Sequence, residues 1–124
     1  MRHPREPQGV NAVEEWQTEL DAAGELTPGI VDAILSTHGE RGAKAIEAVA
    51  EARVKEYNDF TVVVGHSEEH VVEDGGCQCR DAQYNLDPDD PTERCWHALA
   101  VAIAQRVDEV DRHDMWYSDV REFL

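Results

Sequence analysis

The sequence predicts an α+β fold: N-terminal helices, a β-hairpin and a C-terminal helix. Three observations predict it. Apolar residues recur at three- and four-residue spacing through residues 10–57. That spacing gives way to β-branched runs at Phe60–Val64 and His70–Glu73. Helical intervals then return at Trp96, Ala100, Ile103, Val107 and Val110, one face of an amphipathic helix.

Residues 1–9 hold Pro4, Pro7 and Gly9 without periodicity and read as a flexible leader. Asn11 and Glu14 form a capping-box pattern ahead of Val13, Trp16 and Leu20, and Gly24 stops that helix. Thr27-Pro28 starts a second helix, with an N-cap followed by proline at the first helical position. Its face is Ile30, Val31, Ile34 and Leu35, and it ends near Thr37-His38-Gly39. Arg41 to Tyr57 reads as the longest N-terminal helix, with Ala43, Ile46, Ala50, Val54 and Tyr57 on one face and Glu47, Glu51 and Lys55 on the other. Asn58-Asp59 breaks it.

Phe60-Thr61-Val62-Val63-Val64 is a strand by β-branched content. His70-Val71-Val72-Glu73 pairs with it through the loop at residues 65–69, and Asp74-Gly75-Gly76 ends the hairpin. Residues 80–90 are polar and form a loop. Asp90 as N-cap, Pro91 at the first position and Glu93 at the third predict a helix running to about Asp111. In the final piece Trp116, Val120, Phe123 and Leu124 share one helical face. The expected organisation is a leader at 1–9, a helical segment at 10–57, a ββα unit at 58–111 and an amphipathic segment at 112–124.

A length of 124 residues is room for one domain. Lys and Arg total 11 against 27 Asp and Glu, a formal net charge of −16, and Lys44 and Lys55 are the two lysines. The acids are spread along the chain rather than gathered in a tail. Such a surface repels itself unless salt screens it, and at about 1 M salt the Debye length is only ~3 Å. The composition therefore reads as that of a halophilic, haloarchaeal-like protein. No apolar run reaches membrane-spanning length, and Met1-Arg2-His3-Pro4-Arg5-Glu6-Pro7 leads into no apolar signal core. The expected location is cytoplasmic. Three cysteines are an odd number, which argues against a closed disulfide framework, and clustered thiols in a reducing compartment more often bind metal.

The cysteines fall in a pattern: Cys77-x-Cys79, fifteen intervening residues, then Cys95-x-His97. Thiolates and imidazole are the ligands of tetrahedral structural Zn²⁺ sites. The first pair follows a hairpin, where irregular backbone can turn both sulfurs toward one point. The second is expected in the first turn of a helix, whose positive end favours a thiolate. Cys77, Cys79, Cys95 and His97 are thus the expected ligands of one structural Zn²⁺. Three thiolates and a histidine fill every position and leave none open for catalysis, so no enzyme is expected.

Over about residues 57–108, Cys77-Gln78-Cys79 … Cys95-Trp96-His97 resembles the SWIM zinc-finger family. That resemblance implies a β-hairpin followed by a helix, with ligand order C-x-C then C-x-H. It also implies zinc binding within proteins that act on DNA and chromatin, in recombination mediators or in protein–protein contacts.

Other residues are weaker candidates. His66 and His70 read as solvated hairpin residues, with spare ligation as the alternative. Asp87, Asp89 and Asp90 lack the glycine and terminal glutamate of a calcium loop. Arg80 and Arg94 flank the ligands and read as salt-paired, with phosphate contact as the alternative. His38 and His113 receive no role. The expected function is a zinc-stabilised protein-interaction adaptor in DNA repair, recombination or gene regulation; the alternative is a direct nucleic-acid-binding regulator. The expected partner is a protein rather than a membrane. Trp116, Val120, Phe123 and Leu124 either self-associate or fold back on Trp16 and Leu20.

Overall fold

The computed structural model describes residues 8–65, 69–73, 76–77, 79, 81, 85–86 and 93–121. The fold is α+β, as the sequence predicts. Three helices come first: α1 (Gln8–Ala23), α2 (Pro28–His38) and α3 (Glu40–Ala50). Four strands follow, β1 (Val54–Glu56), β2 (Thr61–Val64), β3 (Glu69–Glu73) and β4 (Gly76–Cys77). Helix α4 (Trp96–Val107), strand β5 (Asp111–Arg112) and helix α5 (Tyr117–Arg121) complete the chain.

The sheet runs in the order β4-β3-β2-β1-β5. Strands β1 to β4 form an antiparallel meander, and β5 pairs in parallel with β1 at the far edge. Helix α4 must therefore carry the chain from the β4 edge to the β5 edge, and it touches β1, β2, β3 and β4 on the way. Its 12 residues are about 18 Å long, which matches the ~19 Å spanned by four inter-strand gaps. On its other side α4 packs against α3 and α1. One core runs through both layers and holds Trp16, Leu20, Ile34, Val54, Val63 and Ile103, all fully buried.

Several elements end as the sequence predicts. Gly24 stops α1 at φ +69°, and its N–H bonds to the Leu20 carbonyl at 2.8 Å. The Thr27 hydroxyl accepts from the Ile30 N–H at 3.3 Å, capping α2 with Pro28 at its first position.

Other expectations are corrected. Helix α1 starts at Gln8, so Gln8 and Gly9 are helical rather than leader, and Asn11 lies inside the helix rather than capping it. Glutamine is a good helix former and one asparagine costs little.

The helix expected over Arg41–Tyr57 stops at Ala50. Ala52 takes the left-handed conformation at φ +56°. The Arg53 N–H then reaches the Ala48 carbonyl at 2.9 Å and the Ala52 N–H reaches Val49 at 3.1 Å, a Schellman ending built without glycine. Val54–Glu56 becomes a strand, so the division at residue 57 passes between paired strands. Residue 60 precedes β2, and β1 and β4 flank the expected β2–β3 hairpin to make a four-stranded meander.

The helix expected to start after Asp90 begins at Trp96; Glu93, Arg94 and Cys95 are not helical. Asp90 and Pro91, like Asp87, Asp89, Arg80 and His66, lie outside the described residues. Helix α4 also ends earlier than expected, at Val107. Asp108 turns left-handed there and the Glu109 N–H reaches the Ala104 carbonyl at 3.0 Å.

Tyr117 and Ser118 of the C-terminal segment dock on the β1–β2 turn. The Asp59 carboxylate accepts from the Tyr117 N–H at 2.6 Å, the Ser118 N–H at 3.2 Å and the Ser118 hydroxyl at 2.7 Å, which caps α5. The Tyr117 ring is buried against Tyr57 and Phe60, and its hydroxyl donates to Glu69 at 2.8 Å. Trp116 stays 55% exposed. The side chains of Val120, Phe123 and Leu124 lie outside the described residues.

Helices α2 and α3 meet at Gly42. A Cβ there would lie 3.0 Å from both the Ile34 Cγ2 and the Ile34 carbonyl oxygen, and 3.3 Å from the His38 Cβ. Gly42→Ala gains about 1 kcal/mol of helix propensity, but overpacking against backbone costs about 1–3 kcal/mol. A net loss of about 1 kcal/mol is expected in denaturant unfolding, although the same change at an exposed helical glycine would stabilise. A more stable Gly42→Ala protein would show that the two helices do not meet this closely.

Candidate metal centre

The sheet brings the first two donors to the edge where α4 begins. Cys77 is held on β4 by its pairing with Val72, and Cys79 follows two residues later. Cys95 is the N-cap of α4, with extended backbone at φ −68° and ψ 162°. Its sulfur accepts the Ala98 N–H at 3.4 Å, and His97 points inward one residue into the helix. Cys79, Cys95 and His97 are buried, and Cys77 is half-buried.

The donor atoms of Cys77, Cys79, Cys95 and His97 all lie within 4.8 Å of one another. Cys77 Sγ stands 3.7 Å from His97 Nδ1. With metal–sulfur and metal–nitrogen bonds of about 2.3 and 2.0 Å, a tetrahedron has edges of roughly 3.5–3.8 Å. The Cys77–His97 separation already matches such an edge, and the cluster could hold a metal ion with His97 Nδ1 as the nitrogen facing Cys77. The sequence reading of these four residues as one group agrees with their placement.

The thiols share their protons unevenly. A hydrogen bond from Cys95 holds the Cys77 thiol below the usual range, against the opposing effect of burial. The same hydrogen bond, with burial adding to it, pushes Cys95 up to about 12. The first thiolate thus forms on Cys77, and a metal ion must displace the proton on Cys95.

Two neighbours of the site were not legible as such. His70 is not a solvated hairpin residue: its ring packs on His97 with centroids 3.9 Å apart. Strand alternation is the available signal, since His70 shares its face with buried Val72. Trp96 covers His97 from another side at 4.0 Å, and the Arg53 guanidinium lies 5.6 Å from the Trp96 ring.

The second neighbour is Asp81, just beyond Cys79. It accepts from Arg41 Nε at 2.6 Å and Arg41 Nη2 at 2.8 Å. Arg41 holds its carboxyl down at about 2. No local spacing signals a pair 40 residues apart.

His38 and His113, the other described histidines, have structural surroundings. Buried His38 accepts the Trp16 indole N–H at 3.2 Å. His113 stacks on Tyr57 and meets Asp111 at 3.0 Å. Arg94 is half-buried. Among the described residues, no helix is long and apolar enough to cross a membrane.

The chain is similar to an uncharacterized protein of Archaeoglobus fulgidus, 42% identical over 92 residues that cover 74% of this chain and 78% of the relative. No family model and no solved structure matches it.

Metal affinity should depend on pH with a fixed sign. Thiols bind metal only when deprotonated, so each proton displaced weakens apparent affinity about tenfold per unit of acidification. Because Cys95 carries its proton at neutral pH, affinity should rise at least tenfold from about pH 6 to about pH 7, as read by chelator competition corrected for the chelator's own protonation. A flat profile would mean that this thiol does not ligate.

Proposed function

We propose that this chain, which belongs to the same family as the uncharacterized Archaeoglobus fulgidus protein, is a small zinc-binding interaction protein of SWIM type and not an enzyme. One observation carries the reading: three thiols and an imidazole converge within 4.8 Å at the junction of sheet edge and helix. Soft sulfur donors suit Zn²⁺ and disfavour Mg²⁺ or Ca²⁺, which take oxygen. Four protein donors complete a tetrahedral shell, so the ion's role is to tie β4 to α4 rather than to activate water. The order of elements supports the SWIM resemblance, with C-x-C leaving a hairpin strand and C-x-H opening a helix.

The interaction role is a protein contact, in DNA repair, recombination or gene regulation. Met115 and Trp116 support it: they stand side by side, 46% and 55% exposed, on a segment already fixed by Asp59. Exposed large apolar groups on an anchored segment suit a protein partner. A net charge of −16 disfavours a phosphate backbone.

Two measurements test this. The purified protein should hold one Zn²⁺ per chain by elemental analysis, and Cys79→Ala should lose most of it; full occupancy in that variant would sink the ligand assignment. Mobility assays with DNA and RNA should show no saturable binding at about 0.1 M or about 1 M KCl. Sequence-dependent binding that persists at molar salt would replace the adaptor reading with that of a nucleic-acid-binding regulator.

A further inference from the structure

We infer that Arg41 and Asp81 are positioning residues for the metal site: their ion pair ties Asp81, two residues beyond Cys79, to α3 and so sets how tightly zinc is held. The inference rests on the zinc reading above. Strand β4 is a two-residue strand at the edge of the sheet. Cys79 lies beyond its end, outside the β3–β4 pairing at Gly76 and Cys77.

Asp81, two residues on, ties this stretch to a helix. Its carboxylate takes both arms of the Arg41 fork, at 2.6 and 2.8 Å, and also the Asn85 amide at 3.1 Å. The Asn85 N–H closes a turn on the Asp81 carbonyl at 3.0 Å. Bidentate pairing fixes orientation as well as distance, which a single ammonium contact does not.

Arg41 sits in the first turn of α3, and α3 packs along α4, whose start carries Cys95 and His97. Both halves of the donor set are thereby referred to one rigid helix pair. As a surface pair, with side chains 38% and 32% exposed, the bridge adds little to overall stability. Its leverage lies in where it holds the loop next to Cys79.

The test is zinc release from the loaded full-length protein to excess chelator, followed by a chromogenic zinc indicator, with denaturant unfolding measured in parallel. Loss of a partner that orients a metal ligand costs about 10–100-fold in affinity. Arg41→Ala and Asp81→Asn should each speed release about tenfold or more on that scale. Arg41→Lys should fall between, and the charge-swapped Arg41→Asp/Asp81→Arg protein should regain part of the loss.

Lys55→Ala removes a comparable ion pair, with Asp111 at 3.3 Å on the opposite sheet edge, and should leave release unchanged. Wild-type release rates in folded Asp81→Asn and Arg41→Ala would overturn the inference, as would equal acceleration by Lys55→Ala. If the wild-type chain takes up no zinc at all, the zinc reading itself has failed; uptake with unchanged release removes only the bridge.

Discussion

The architecture depends on burying α4 on two sides at once. A helix in a small α+β domain usually shows one apolar stripe. Here His97, Ala98, Leu99, Ala100, Val101, Ile103 and Ala104 are all buried, because the sheet lies against one side and α1 and α3 against the other. Alanine makes this possible. Ala98, Ala100 and Ala104 on α4 and Ala45 and Ala48 on α3 let the backbones approach closely. Larger groups fill the space around them. Ile103, Leu20, Ile34 and Trp16 are fully buried, and each aliphatic among them stabilises by about 1.5–3 kcal/mol. The crossing of α4 from one sheet edge to the other starts beside β4, which places Cys95 and His97 next to Cys77 and Cys79.

Cys95 joins the two parts of this arrangement. As N-cap it satisfies the Ala98 N–H, and as a donor it faces Cys77, Cys79 and His97. A serine would cap as well but would not ligate, so the cap alone does not call for a cysteine, whereas a metal site would. The scale of the metal term matters as much. Structural zinc supplies about 10–16 kcal/mol coupled to folding, against a net stability of about 5–15 kcal/mol for a domain. A zinc at this junction would thus be comparable to the whole margin of the fold. The helical side has burial of its own, through Trp16 and Ile34, whereas β4 is two residues long and depends most on that tie.

What was legible in the sequence follows from how local each signal is. Thr27-Pro28 and Gly24 are cap signals confined to a few residues, and both mark real helix ends. The grouping of Cys77, Cys79, Cys95 and His97 was legible because residue type and spacing suffice. The end of α3 was not. Its Schellman motif uses Ala52 where glycine is the usual mark, and Val54 and Tyr57 happen to continue the helical spacing. Asp90-Pro91-x-Glu93 imitates a helix start more closely than the cysteine at which α4 begins. β5 has two residues and exists only because α4 delivers Asp111 beside Lys55, so no pattern within it could reveal it. His70 and Asp81 were missed for the same reason: their importance comes from partners distant in sequence, His97 and Arg41.

The charge distribution bears on what the surface can recognise. Cations are scarce in this chain, and five of the described ones stand in ion pairs. Arg41 meets Asp81, Arg53 meets Glu51, Lys55 meets Asp111, Arg106 meets Asp21, and Arg112 meets both Glu56 and Asp108. Each such pair leaves no net positive charge outward, while the excess of acids remains. A phosphate backbone approaching this surface would meet repulsion from the excess of acids, and salt would weaken whatever single contacts it made. Apolar contacts respond in the opposite sense, because screening lowers the repulsion between acidic surfaces without weakening burial. The combination of a strongly acidic exterior with the exposed pair Met115 and Trp116 therefore favours recognition through apolar protein contact, and favours it more as ionic strength rises.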